Sequence, residues 1–167
     1  MVASNVSSSH VTWGSIELLH NVVRTLNLLH EQGHPLPVVR YRAKVKLHGS
    51  NCAVQVHPGG LVAQSRTAIL TPESDYKGFA AWVRAHAEWF ASLQPGIVVF
   101  GEWCGPGVEK GMAISQVADK VFAVFAIRDG ERIVHDPDEL LARLPAAGVP
   151  ANLHVLPWED DGFVVDY

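Results

Sequence analysis

This chain of 167 residues lacks most features that would assign it to a specialised protein class. Its two cysteines, Cys52 and Cys104, are too few for a disulfide framework. No apolar run has membrane-spanning length and residues 1–5 do not form a secretory signal, so we expect a cytoplasmic protein with no membrane partner. A Gly-x-x-x-x-Gly-Lys-Ser/Thr loop is also absent, so a nucleotide would have to be bound in another way.

Neither sign of charge dominates. Lys and Arg number 13 against 17 Asp and Glu, and the net charge of −4 argues against indiscriminate binding of nucleic acid. The basic residues nevertheless cluster in residues 42–46 and at Arg66, and a local field can attract a phosphate chain whatever the net charge. The length and a hydrophobic content of 48% predict a single domain over residues 1–167. Residues 1–10 are polar and serine-rich, and we expect them to be disordered.

The spacing of apolar residues predicts an α+β fold rich in hairpins. Helical spacing is found in three segments, residues 15–31, 74–92 and 138–144. Six strands are predicted, near residues 41–48, 51–57, 61–66, 97–102, 121–127 and 152–156. The turn Pro58-Gly59-Gly60 would join the second and third strands, and Ser74 would cap the second helix.

The most informative segment is residues 42–51, Arg-Ala-Lys-Val-Lys-Leu-His-Gly-Ser-Asn, where basic and apolar residues alternate. Period two predicts a strand with its four basic side chains on one face, those of Arg42, Lys44, Lys46 and His48. Like-charge neighbours and partial burial would favour the neutral, nucleophilic form of the innermost amine. Gly49 would let the backbone approach a ligand closely. A solvated basic edge strand would show the same alternation.

Four motifs of this chain resemble those of ATP-dependent RNA ligases, in the nick-sealing and RNA-editing branch of the covalent nucleotidyltransferases. Lys46-Leu47-His48-Gly49, followed by Ser50-Asn51, resembles the nucleophile motif in its Lys-x-His-Gly form. The next three motifs follow in the family's order, as Ser65-Arg66, Phe100-Gly101-Glu102 and the segment Phe122 to Ile127. Four motifs in order are far more specific than any one of them. The resemblance covers roughly residues 39–127.

The resemblance implies a ligase adenylation domain with two packed, mostly antiparallel sheets flanked by helices and a nucleotide cleft between them. It also implies ATP and Mg²⁺ as cofactors, with Lys46 forming a lysyl-AMP and RNA ends or a nicked duplex being joined 5′-phosphate to 3′-hydroxyl. Glu102 would contact the ribose and Phe125 would stack on adenine. The implied nucleotide-binding residues are Val45, through its backbone, with His48, Gly49, Asn51, Arg66, Glu102 and Phe125.

The chain departs from the family's pattern in several places. Ala126 replaces the usual Asp and Val45 replaces an acid. The later Glu-Gly and Lys-x-Lys strands were not identified, and residues 160–165 are predicted to form an ordinary strand, so we expect a domain that is incomplete at its C-terminus. An inactive nucleotide- or RNA-binding fragment and a GTP-using capping-type enzyme are the alternatives, although His48, where capping enzymes carry Asp, disfavours the latter. The sequence identifies no protein partner.

A zinc peptidase pattern provides a rival chemistry. Residues 30–34 read His-Glu-Gln-Gly-His, which would place two histidine ligands on one face of a helix. Pro35 pushes His34 out of the helical region and Gly33 weakens the same turn, so the pattern does not predict a metal site here.

Overall fold

The computed structural model describes residues 8–159 and 162–166. The described residues form two compact units, the first from residues 8–13 and 46–156 and the second from residues 14–45, 157–159 and 162–166. The helices are α1 (Leu19–Glu31), α2 (Phe79–Ala85), α3 (Ala87–Ala91) and α4 (Pro137–Arg143). The strands are β1 (Val38–Tyr41), β2 (Ser50–His57), β3 (Gly60–Ser65), β4 (Ile97–Cys104), β5 (Val121–Asp129), β6 (Arg132–Val134), β7 (Leu153–Val155) and β8 (Phe163–Asp166). The predicted α+β class is confirmed.

The first unit is built on a six-stranded sheet. Its main path has the order β3-β2-β4-β5-β6 with antiparallel neighbours, and β7 pairs with β5 in parallel. The predicted hairpin is confirmed, because His57 pairs with Gly60 across the Pro58-Gly59 connection. Alternation along β2 and β4 gives the sheet two apolar faces, as expected for central strands.

Helices cover one face of this sheet, which we call the helical face. Four of its fully buried aromatic residues are Phe79, Phe90, Trp103 and Phe122. The rings of Phe79 and Trp103 lie 5.4 Å apart between centroids, which joins α2 to β4. The predicted inward-facing residues of the second helix are all buried, namely Phe79, Trp82, Val83, Phe90 and Leu93.

A short N-terminal segment lies on the opposite face. We call residues 9–13 the strap and the surface beneath it the strap face. The apolar residues of that face are Ala53, Val98, Phe100 and Ala126, with Val11, Trp13 and Phe125 packed against them. His10 Nε2 lies 3.0 Å from the carbonyl oxygen of Ser65, and the backbone carbonyl of Ser9 accepts a 3.0 Å bond from Gln55. Ser9 and His10 are therefore held by the sheet, where the composition predicted disorder; residues 1–7 lie outside the described residues.

The second predicted helix begins later than the sequence indicated and is divided into α2 and α3. Ser74 does not cap it, because its hydroxyl instead accepts a 3.1 Å bond from the amide of Thr71 in a turn. Asp75, which lies before the helix, caps it instead. Its carboxylate accepts bonds from the amides of Ala80 and Ala81 at 2.7 and 3.3 Å. Lys77 and Gly78, with φ angles of 51° and 87°, separate the turn from the helix.

The second unit contains α1 and the two-stranded antiparallel sheet of β1 and β8. The strand predicted over residues 41–48 is wrong in extent, since β1 ends at Tyr41 and residues 42–49 form no strand. The strand predicted over residues 160–165 is confirmed from Phe163 onward; residues 160 and 161 lie outside the described residues. The helix predicted over residues 15–31 is confirmed from Leu19 onward, and none of the residues of α1 is buried.

α1 ends at Glu31, and Gly33, with a φ of 90°, follows its C-cap. His34 therefore lies outside the helix, and its carbonyl oxygen is 3.1 Å from Nδ1 of His30. None of the helices within residues 8–159 is long and apolar enough to span a membrane.

Candidate functional site

The segment from Lys46 to Gly49 enters the first unit immediately before β2. The side chains of Lys46 and His48 are exposed, so the partial burial expected for Lys46 is not observed. The alternation predicted from the sequence does not continue into this segment, because Val45 is 46% exposed although it was expected on the apolar face. Val45 is the last residue of the segment 14–45, which belongs to the second unit. The next residue, Lys46, belongs to the first unit.

Gly49 is in close contact with the backbone of β4. A Cβ atom at this position would lie 2.5 Å from the carbonyl oxygen of Trp103 and 2.6 Å from Cβ of Cys104. Atoms do not approach so closely, so only glycine fits here. The backbone that Gly49 approaches is therefore that of β4, and the close approach allows its amide to donate a 3.0 Å bond to Oε1 of Glu102.

Glu102 lies at the centre of the predicted site. It is half-buried on β4 and pairs directly with Asn51 on β2. Burial raises the pKa of its carboxyl group, and the bond from Gly49 together with the charges of Lys46, His48 and Arg66 opposes that shift. Burial outweighs the opposing interactions. Three side chains that lie more than 30 residues before Glu102 in the sequence thus interact electrostatically with its carboxylate.

Arg66 reaches this group through the β2–β3 hairpin. Cys52 pairs with Ser65 at the last step of the ladder, which returns the chain to the level of Asn51. Arg66, the next residue, is exposed and its charge acts on Glu102. The prediction that the hairpin would bring Ser65-Arg66 near Asn51 is confirmed by this register.

Phe125 lies at an irregularity of the sheet. Phe100 pairs with Ala126 but Gly101 pairs with Val124, so Phe125 has no partner on β4. Such a bulge places two successive residues on one side of a strand and often lies beside an active site. Phe125 and Ala126 both belong to the strap-face cluster, and Ala126 is fully buried beside Phe100. A carboxylate in place of Ala126 would be costly in this environment.

Asn51, Glu102 and Phe125 share the strap face. Asn51 is two residues before Ala53 on β2, and Glu102 is two residues after Phe100 on β4, so each points to the same side as an established member of that face. A row of polar groups therefore borders an apolar surface with an aromatic ring. That combination suits a ligand with a charged part and a flat apolar part.

A second network, which the sequence did not predict, ties the glycine-rich loop after β4 to the start of β2. The hydroxyl of Ser50 lies 3.0 Å from that of Tyr76 and donates a 3.2 Å bond to Oε1 of Glu109. Lys77 forms a 3.2 Å ion pair with the same carboxylate and also donates to the carbonyl of Val108. The sequence feature that could have indicated this network is Glu109, an acidic residue in the glycine-rich run of residues 104–111.

The two thiols near Glu102 are structural. Cys52 and Cys104 are fully buried, and burial raises the pKa of both, that of Cys104 to about 11. A thiol that stays protonated at neutral pH is a poor nucleophile. Cys52 is therefore a small core residue rather than a reactive thiol.

Comparison with known proteins places this geometry in a family. The family model described as RNA ligase matches residues 39–163, about three quarters of the chain. The chain belongs to the RNA ligase family. The match includes all four motifs recognised in the sequence, from Lys46 to Phe125, and extends to the Gly162-Phe163 start of β8. The family match thus indicates a ligase-type enzyme that acts on RNA.

The described residues do not provide a set of clustered protein ligands for the metal that the resemblance implies. Within residues 8–159 and 162–166, no three His, Cys, Asp or Glu side chains are grouped so that they would hold a metal ion. Mg²⁺ binds nucleotide-dependent enzymes largely through substrate phosphates and water, with only one or two carboxylates. The described residues are therefore compatible with magnesium that arrives as MgATP and do not form a resident metal site.

Proposed function

We propose that this RNA ligase family member is an ATP-dependent nucleotidyltransferase that joins RNA ends through a lysyl-AMP formed on Lys46. The observation that carries the proposal is the meeting of separate motifs at Glu102. The amide of Gly49 donates a 3.0 Å bond to the Glu102 carboxylate, and Asn51 pairs with Glu102. The hairpin brings Ser65-Arg66 alongside, and Phe125 lies on the same face. Charged groups would bind the phosphates and sugar, and the apolar surface would bind the base. The substrate is MgATP, whose metal neutralises charge on the phosphates.

In the first step, the amine of Lys46 attacks the α-phosphorus of ATP. A phosphorus–nitrogen bond forms, the bond to the β-phosphate oxygen breaks, pyrophosphate leaves, and the amine loses its proton to solvent. The exposed position of Lys46 leaves its amine accessible to a triphosphate. Covalent catalysis divides one difficult displacement into easier ones.

In the second step, an oxygen of an RNA 5′-phosphate attacks the adenylate phosphorus and frees Lys46. The 3′-hydroxyl of the other end then attacks the activated 5′-phosphate, and AMP leaves. Arg66 and His48 are the residues we assign to phosphate oxygens, because each lies close enough to Glu102 for its charge to act there. Glu102 and Asn51 are assigned to the ribose, where a carboxylate and an amide can accept hydrogen bonds from hydroxyl groups.

Labelling with ATP radioactive at the α-phosphate tests the nucleophile. Lys46→Ala and Lys46→Arg should both lose the covalent label, and the arginine variant should still bind ATP because it keeps the charge. Lys44→Ala removes a lysine two residues away and should keep the label. Full labelling of either Lys46 variant would refute the assignment.

The same assay separates the alternatives. Label from GTP but not from ATP would identify a capping-type enzyme, and nucleotide binding without label would identify an inactive binding module. Sealing of a nicked RNA duplex, followed on a denaturing gel with MgATP present, tests the joining steps. Covalent labelling without sealing would support the first step of the proposed reaction and refute the other two.

A further inference from the structure

The strap covers the ring to which the proposed function assigns the base. The rings of Trp13 and Phe125 lie 5.0 Å apart between centroids at an interplanar angle of 68°, and Trp13 contacts Phe100 at the same distance. A base held between Trp13 and Phe125 would need about 7 Å between the two rings, twice the ~3.5 Å contact distance. The space between the two rings therefore does not admit a base.

The strap is fixed to the sheet by specific hydrogen bonds. The side chain of Gln64 accepts a 3.1 Å bond from the amide of Val11 and donates a 2.6 Å bond to its carbonyl. Gln55 bonds both to Gln64, at 2.7 Å, and to the carbonyl of Ser9, at 3.0 Å. Gln55 and Gln64 are 3% and 1% exposed, so these two buried amides are satisfied partly by the strap.

These hydrogen bonds and ring contacts together fix the position of the strap on the sheet. Its bonds run to β2 and β3, whereas Trp13 reaches across to Phe100 on β4 and Phe125 on β5. The polar part of the strap and its aromatic end thus rest on different strands. Withdrawal of Trp13 alone would uncover Phe125 and leave the glutamine bonds in place.

We propose that the strap is an autoinhibitory element, in which Trp13 occupies the base-binding surface and must withdraw before ATP binds. The inference rests on the proposed function, since it takes Phe125 as the base-stacking residue. A binding-competent state that is only partly populated reduces the apparent affinity by its population. Each aromatic pair is worth roughly two- to twelvefold in an equilibrium constant, so the two contacts of Trp13 hold the surface closed.

Calorimetric titration with α,β-methylene-ATP, which cannot transfer its adenylate, tests the proposal on the full chain. Trp13→Ala should bind at least about fivefold more tightly than the wild type, because the closed state loses both ring contacts. Thr12→Ala changes an exposed strap residue and should stay within about twofold. In the Trp13→Ala background, where the contact between Trp13 and Phe125 is already absent, Phe125→Ala should weaken binding roughly five- to 150-fold through loss of base stacking.

Hydrogen exchange gives a second measurement that does not depend on a variant. The Val11 amide is protected by its bond to Gln64. If Trp13 alone withdraws, ligand should leave the protection of the Val11 amide unchanged. Slower exchange of the Val11 amide with ligand would overturn the proposal, because it would mean that nucleotide closes the strap.

The outcomes distinguish the two levels of inference. Unchanged or weaker binding by Trp13→Ala, together with still weaker binding when Phe125→Ala is added to it, would overturn autoinhibition and preserve the base-binding surface. Equal affinities for Trp13→Ala and the Trp13→Ala/Phe125→Ala double variant would remove Phe125 from the site and with it the reason for the strap's role. Absence of binding in every variant would refute the proposed function itself.

Discussion

Substitution of Gly49 by alanine tests whether this glycine serves the fold or the ligand. The added Cβ would lie 2.5 Å from the Trp103 carbonyl oxygen and 2.6 Å from the Cys104 Cβ. Both atoms belong to β4 and neither can rotate away, so the backbone before β2 must move. That movement would also break the 3.0 Å bond from the Gly49 amide to Glu102.

The expected cost follows from these two losses. Overpacking of this kind costs about 1–3 kcal/mol. A hydrogen bond to a charged group contributes about 1.5–3 kcal/mol. Because the two losses overlap, we expect the free energy of unfolding to fall by about 2–5 kcal/mol, which corresponds to a decrease in Tm of roughly 5–15 °C for a chain of this length.

Thermal unfolding followed by circular dichroism measures this effect. Gly14→Ala is the matched control, because a Cβ there meets nothing within 4 Å and its backbone is not in the left-handed region. It should change stability by less than about 0.5 kcal/mol. If Gly49→Ala unfolds like the control, the contact with β4 is not limiting. Normal stability combined with lost ATP binding would support the original interpretation, that glycine lets the backbone approach a ligand.

Two further predictions concern stability. Glu102→Gln should remove a pH dependence: burial raises the pKa of Glu102, so the folded state holds the proton more tightly, and its stabilising effect is present at low pH and lost as pH rises through the folded pKa. Thermal melts between pH 4 and 8 should show wild-type stability falling relative to this variant, and parallel curves would contradict the burial argument. Asp136→Ala should lower the free energy of unfolding by about 1 kcal/mol, because Asp136 accepts bonds from the amides of Asp138 and Glu139 at the start of α4. A change below about 0.3 kcal/mol in urea unfolding would show that the cap contributes little.

Local signals in the sequence determined much of the architecture. Alternating and continuous apolar runs located the central strands, the Pro58-Gly59 turn determined the hairpin, and Pro137 located the start of α4 to within a residue. The order of four motifs indicated the RNA ligase family, which the family match confirms. These features depend on neighbouring residues, whose preferences act wherever the chain lies.

The remaining features depend on contacts between distant residues. Asp75 rather than Ser74 caps α2 because the path of the intervening turn, with Lys77 at positive φ, decides which side chain reaches the amides. Residues 42–49 have a strand-like pattern but form no strand, since alternation alone does not supply a hydrogen-bonded partner. The contact of Gly49 with β4 could not be predicted for the same reason, as its neighbour on β4 is more than 50 residues away.

The candidate site shows the same division. Sequence motifs supplied Lys46, His48, Arg66, Glu102 and Phe125 as candidates, and their roles remain predictions. Only the tertiary structure decided that three of these side chains act on the Glu102 carboxylate, because strand register determines which distant residues meet. It also decided that a bulge leaves Phe125 without a partner on β4 and that the ring of Trp13 covers the ring of Phe125. Neither could be predicted from local pattern, since a bulge and a docked strap both arise from the pairing and packing of separate segments.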